Sequence, residues 1–343
     1  MNKKNYSIEL IRFVAALTIM CGHISVVFSN GNIERPFKGT WFYVEFFFLV
    51  TAYFTVKHFD KERYYASSLE EKAKESIAYT ANKFKRFFVY TTVPIVLMYV
   101  VTNREILQDQ GLMPYIKAFE NMPFELLYLS AGTIESTRLF PLWFLSAMLI
   151  VFPVFCILAQ IKNRRIVCIL AAYISLFYYL SKYDFGSHIY PNQIIRAFSA
   201  MMLGYLVYHI ATALDQRQVT KRERFLLSII EVVTMLVPLG LSAWNIVLLR
   251  IYLICFVLYL TITLSNKSWL SQFSNPFILF LGKLSMPVYV WHYVVGVMLE
   301  AYMPNEISIN FKIGAYYSLT LLIATINLLI AEKLWIGKKK NEV

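Results

Sequence analysis

Ten apolar runs leave room for little else in this chain: residues 8–28, 39–57, 86–103, 139–160, 166–182, 191–211, 225–243, 245–265, 277–299 and 313–335. A hydrocarbon core of about 30 Å takes roughly 17 to 25 helical residues to cross, and only a helix or a closed barrel satisfies its own backbone there. The run lengths predict an all-α, polytopic membrane bundle of about ten transmembrane helices. Runs seven and eight are read as two, because one uninterrupted helix of about 40 residues is twice too long for a single crossing. Ser242-Ala243-Trp244-Asn245 offers the break. Composition agrees: 58% of residues are hydrophobic and 16% charged, against about 25% charged in soluble domains. No Gly/Ser/Pro-rich linker and no internal repeat divides the 343 residues, so one domain is expected over 1–343.

Basic residues in short loops tend to stay cytoplasmic. With the N-terminus inside, most of the 33 Lys and Arg residues fall in cytoplasmic segments, chiefly 57–86, 162–165, 217–224 and the C-terminal end. The expected topology is N-in/C-in, with Ser187 and Asn305 outside and Ser68 inside. The net charge of +12 follows from that topology rather than from a nucleic-acid surface, since the bases are spread over every inner loop. One stretch is unusual: 58–85 alternates acids and bases and closes on Lys83-Phe84-Lys85-Arg86. It reads as a cytoplasmic amphipathic loop, either a solvated helix or a site for an anionic ligand. Run one is not a cleavable signal, because Arg12 interrupts it and Cys21-Gly22-His23 is polar for such a segment. The four cysteines lie at no disulfide or metal spacing and are expected to pack as small apolar residues.

Chemistry is to be sought among ionisable groups inside the membrane, each of which costs roughly 2.5 to 3.5 kcal/mol at the bilayer centre. Six stand out: Arg12, His23, Glu45, Arg196, Arg250 and His292. At a rise of about 1.5 Å per residue, five of them, all but Arg12, fall in one layer roughly 8 Å below the outer surface. Arg12 precedes His23 by eleven residues, which brings the two onto one helix face, with Arg12 about 16 Å nearer the cytoplasm. A carboxylate such as Glu45 beside an imidazole fixes its tautomer and strengthens it as a base, which suits hydroxyl activation. Each residue also has a structural reading: Arg12 pairs with Glu9, the arginines reach toward the headgroups, and Ser146 packs or bonds its own helix. No nucleophile elbow, Walker A loop, HExxH or GxGxxG is present, so no metal or nucleotide cofactor is expected from motifs.

Glu9-Leu10-Ile11-Arg12-Phe13 with Gly22-His23, then Val44-Glu45-Phe46-Phe47-Phe48, Lys83-Phe84-Lys85-Arg86, Leu142-Trp143-Phe144-Leu145, and Gly282-Lys283-Leu284-Ser285 with Tyr289-Val290-Trp291-His292 resemble the acyltransferase family 3 membrane proteins. Glu45 stands where the family usually has Asp, and Lys83 where it usually has Arg. The likeness spans nearly the whole chain, and no extra soluble domain is expected. It implies acyl transfer, acetyl in the usual case, from cytoplasmic acetyl-CoA or another acyl-CoA to a hydroxyl of a cell-surface polysaccharide or lipid-linked glycan in a bacterial cell membrane. His23 is then the catalytic base or a transient acyl carrier, and Glu45 its orienting partner. Arg12, Lys83 and Arg86 favour the anionic donor, Trp143 offers a sugar-stacking face, and Arg196, Arg250 and His292 stabilise the oxyanion or bind acceptor. Membrane lipids and polysaccharide-synthesis proteins are the expected partners. The competing reading is a transporter or flippase of glycans or lipid-linked intermediates, in which buried Arg and His bind substrate or protons. A non-catalytic member of a synthesis complex is a third.

Overall fold

The computed structural model describes residues 5–28, 37–133, 137–181, 192–272, 275–304 and 306–341. Among them there is no strand, and ten helices of 16 residues or more carry the fold. They are α1 (Tyr6–Gly22), α2 (Tyr43–Phe59), α3 (Leu69–Thr102), α4 (Trp143–Ala159), α5 (Arg164–Leu180), α6 (Asn192–Gln216), α7 (Lys221–Ala243), α8 (Leu249–Leu264), α9 (Pro276–Tyr302) and α10 (Ile309–Asn341). Seven of these stretches are long and apolar enough to cross a membrane: Tyr6–Val27, Leu69–Gln110, Phe140–Ala159, Asn192–Gln216, Lys221–Ala243, Pro276–Tyr302 and Ile309–Leu334. Leu249–Leu264 is apolar but shorter. Ser187 and Asn305 lie outside the described residues.

Local chemistry sets the helix ends. Asn5 caps α1 by accepting the Ile8 N–H at 3.2 Å. Ser68 and Glu71 form a reciprocal capping box that starts α3, as Thr220 and Glu223 do for α7. The Ser68 cap makes the part of 58–85 from Leu69 onward helical, the solvated-helix form of that stretch. No Gly or Pro interrupts the sequence from Leu69 until Pro94, so the helix begins at Leu69 and runs on into the third apolar run. The break between runs seven and eight falls after Ala243, where Asn245 takes a left-handed φ of 58° that Asn tolerates better than most residues.

Small residues decide which helices touch. A Cβ on Gly282 would sit 2.1 Å from Glu9 Oε2, so α9 lies directly along α1; a Cβ on Gly204 would sit 2.8 Å from the Leu49 carbonyl, so α6 lies along α2. α4 packs on both α3 and α6, and α10 on α9. The outer helix α5 shows what surrounds the bundle. Val167, Ala171, Ser175 and Tyr178 face inward, whereas Ile169, Tyr173, Leu176, Phe177 and Leu180 are exposed. An exposed apolar face of that extent belongs against lipid tails.

Candidate active site

His23 is the residue on which α1 ends; its backbone N–H closes the last turn on Ile19 and Met20, and a short turn Ile24–Val27 follows. The His23 ring stacks on that of His292 from α9, with centroids 5.0 Å apart and planes within 5°. His23 Nδ1 lies 2.7 Å from His292 Nε2, and His292 Nδ1 lies 3.1 Å from the Val288 carbonyl of its own helix. Only an N–H can face a carbonyl oxygen, so His292 carries its proton on Nδ1 and, when neutral, accepts at Nε2. His23 then donates from Nδ1, which leaves the lone pair of its ring on Nε2. Phe140 meets the His23 ring edge-on at 5.9 Å and Tyr293 does so at 6.0 Å.

Glu45 and Arg196 form the second pair. Both side chains are fully buried, and the contact is bidentate: Arg196 Nε donates to Glu45 Oε1 at 2.5 Å and Nη2 to Oε2 at 2.6 Å. Nη2 also reaches the Trp41 carbonyl at 3.3 Å. The guanidinium is flanked by Trp41 and Trp143, each with its ring centroid 5.0 Å away. Two aromatic faces and a carboxylate thus offset much of the desolvation cost of the buried cation. Nη1 is buried with no hydrogen-bond partner among the described residues. Tyr289 connects the two pairs: its ring lies 6.0 Å from that of His292, and it is close enough to Arg196 to feel its charge.

Four of the five groups expected in the outer layer are therefore gathered as two pairs, His23 with His292 and Glu45 with Arg196. The contact expected between Glu45 and the His23 imidazole is not among the described ones: both Glu45 oxygens bond Arg196, and His23 Nδ1 faces His292. Arg250, the fifth, sits exposed in the first turn of α8 and makes none of the described ion pairs or hydrogen bonds. Trp143 is buried and gives a face to Arg196. Trp41, Phe140 and Tyr293 also belong to the site. All three sit in or beside apolar runs, where an aromatic ring carries no distinguishing signal.

Arg12, Lys83 and Arg86, the residues expected on the donor side, gather at the opposite end of α1. Arg12 pairs with Glu9 at 3.0 Å, the i, i+3 contact that its sequence position allows. Lys83 stands over the rings of Tyr79 and Phe152 at 5.8 and 6.0 Å, and it is close enough to Arg86 and Arg12 for the three charges to act on one another. Arg86 is exposed. Beside this group Asp60, just beyond α2, accepts from Tyr65 at 2.7 Å, from Tyr208, and from Arg164 at 2.6 Å. Burial raises its proton affinity, but the two hydroxyl donors and Arg164 outweigh that and hold the carboxyl below its ordinary value. Ser146 is structural, accepting the Ala131 N–H and donating to the Tyr128 carbonyl, both at 2.8 Å. Among the described residues no group of three or more His, Cys, Asp or Glu side chains is placed to hold a metal.

A multi-pass helical membrane protein with an oriented histidine pair beside a buried guanidinium is equipped for proton transfer and oxyanion binding within a membrane. The chain belongs to acyltransferase family 3, whose acyltransferase domain matches residues 5–331, nearly its whole length. It is a membrane acyltransferase. No curated protein and no solved structure matches it significantly.

Proposed function

We propose that the protein moves an acyl group, specifically acetyl, from cytoplasmic acetyl-CoA to a hydroxyl of a cell-surface polysaccharide or lipid-linked glycan. In this reading ten helices cross a bacterial cytoplasmic membrane with both termini inside. The single observation that carries it is the contact of His23 Nδ1 with His292 Nε2, with His292 Nδ1 turned to the Val288 carbonyl; from it we infer that Nε2 of His23 is the base of the site. His23 Nε2 takes the acceptor hydroxyl proton as that oxygen attacks the thioester carbonyl. The carbon–sulfur bond then breaks, and the imidazolium returns the proton to the departing CoA sulfur. Alcohol and thioester become ester and thiol, and no proton is gained or lost. His292, accepting from His23 Nδ1, favours the imidazolium that forms in between. The partnerless Arg196 Nη1 is the donor for the developing oxyanion or the acceptor oxygen, and Glu45 aims it. Trp41 and Trp143 offer faces to a sugar ring, and Arg250 meets an anionic acceptor at the outer mouth. Arg12, Lys83 and Arg86 attract the donor phosphates.

Purified protein, labelled acetyl-CoA and a panel of oligosaccharides test this reading. Label is expected on glycan, and a protein that only transports would neither hydrolyse the thioester nor transfer the label. The Lys83→Ala/Arg86→Ala double variant should raise the KM for acetyl-CoA about tenfold at low salt, with the difference shrinking as ionic strength rises. A KM unaffected at every ionic strength removes these residues from donor binding.

A further inference from the structure

The outer connection between α3 and α4 contains a buried carboxylate that the chemistry above does not use. Glu125, in the short helical turn Met122–Leu126, is 0% exposed. Its Oε1 accepts the Arg138 backbone N–H at 2.6 Å and the Tyr99 hydroxyl at 3.0 Å, and its Oε2 accepts the Leu139 N–H at 3.3 Å. Two consecutive amides therefore point at the two oxygens of one side chain. An ionised carboxylate suits these donors, because a Gln amide would turn its NH2 toward one of the N–H groups and a protonated carboxyl keeps only part of its acceptor capacity.

What those amides hold is the wall of the candidate site. The next residue, Phe140, packs edge-on against His23 and lies 6.0 Å from the Tyr293 ring; Pro141 gives its carbonyl to the Tyr289 hydroxyl at 2.9 Å; Trp143 faces Arg196. The segment 138–143 is thus fastened at one end by Glu125 and near its middle by Tyr289, and the rings over both pairs lie between and just beyond the two fastenings. A charge-assisted, two-amide hold is roughly twice as strong as a neutral bond, which offsets the cost of burying the carboxylate.

We propose that Glu125 is a positioning residue which, through the amides of Arg138 and Leu139, sets Phe140 and Trp143 against His23 and Arg196 and so governs use of the acceptor rather than of the acyl donor. The proposal rests on the acyltransferase reading for its kinetic consequence but not for its structural one. Full-length wild type, Glu125→Gln, Glu125→Asp and Tyr99→Phe, purified in detergent, are compared in three ways. Amide exchange of the peptide covering 138–139 should be about tenfold faster in Glu125→Gln. Modification of His23 by diethyl pyrocarbonate, followed by peptide mass spectrometry, should be at least about threefold faster as Phe140 moves off the ring. With labelled acetyl-CoA and the oligosaccharide panel, the acceptor KM should rise about tenfold while the acetyl-CoA KM stays within about twofold. Glu125→Asp keeps the acceptor-only chemistry on a shorter arm and should fall between wild type and Gln. Tyr99→Phe, which leaves both amide bonds in place, should stay near wild type.

Acidification provides a further readout. Burial pushes the Glu125 carboxyl above its ordinary value of 4.5, against the amides of Arg138 and Leu139 and the Tyr99 hydroxyl, which lower it. The groups facing it are Tyr99 from α3 and Arg138 from the held segment. The wild-type acceptor KM should therefore climb as pH falls through a region above 4.5, and Glu125→Gln should lack that limb. Unchanged exchange and unchanged His23 reactivity in Glu125→Gln would overturn the proposal, as would equal losses toward donor and acceptor in monodisperse protein. If wild type labels no glycan, the acyltransferase reading fails for those acceptors, and the exchange and His23 measurements still decide the positioning role.

Discussion

His23 and His292 make one unit, and the first prediction follows from that. His23→Ala should lower turnover per folded molecule by about 10² to 10⁴-fold, the range for a positioned acid–base group. His292→Ala should cost less, because Nε2 of His23 remains and only its tautomer is unset. The double variant should be no worse than His23→Ala, since groups acting as one unit are non-additive. Near-wild-type turnover in His23→Ala, normalised to monodisperse protein, would remove it from the chemistry. Glu45 and Arg196 behave differently, because they are ions buried against each other. Glu45→Gln leaves a buried guanidinium without its counter-charge, and thermal unfolding in detergent should show a loss of about 3–5 kcal/mol. The Glu45→Leu/Arg196→Met double variant removes both charges and should recover much of that stability. Transfer should stay low, because Nη1 is gone; recovery of transfer together with stability would make the pair purely structural.

At the scale of helices, depth was legible and pairing was not. A fixed rise per residue places His23, Glu45, Arg196 and His292 at one level from sequence alone. Which of them meet depends on helix adjacency, set here by close contacts at Gly282 against Glu9 and Gly204 against Leu49. Those contacts put α1 on α9 and α2 on α6, hence histidine on histidine and carboxylate on guanidinium. Gly204 is not distinguishable in the sequence from a glycine that merely interrupts a helix, and the motif that singles out Gly282 does not say which helix it meets. The α3 start could have been read from Ser68 and Glu71, whose spacing is that of a capping box. Topology is tested with Cys at Ser68 and at Met113, an exposed residue between α3 and α4. In intact cells an impermeant thiol reagent should label Met113→Cys and spare Ser68→Cys, and the reverse pattern inverts the molecule. Asp60 ties α2 to α6 through Tyr208 and to α5 through Arg164. Its carboxyl is held below its ordinary value of 3.8. The contribution is thus complete above that value and lost as pH falls through the lowered one. Wild type should melt above Asp60→Asn at about pH 7, and the gap should close as pH falls through the lowered value. A gap that persists in acid would show that Asp60 does not act as an anion.

For the whole molecule, the ten apolar runs correspond to ten helices of 16 residues or more, and seven stretches among the described residues are long and apolar enough to cross a membrane. The lipid-facing side of α5 and the buried polar pairs then follow one rule, with carbon outward and charge matched inward. The connection between α3 and α4 escaped the reading because a loop of mixed composition has no period. Glu125 looks like any surface glutamate until its two amides are seen. The setting of Arg196 gives the molecule an optical handle as well. Two of its six tryptophans, Trp41 and Trp143, lie with ring centroids 5.0 Å from one guanidinium, whereas Trp244 and Trp269 are exposed. A cation held that close to an indole shifts its excited state, so the emission of this pair depends on where the guanidinium sits. On the proposed reading, a sugar that draws Nη1 toward itself should change that emission without any label. The difference spectrum against Trp41→Phe should then isolate the reporting ring, so that the protein's own fluorescence would gauge acceptor occupancy.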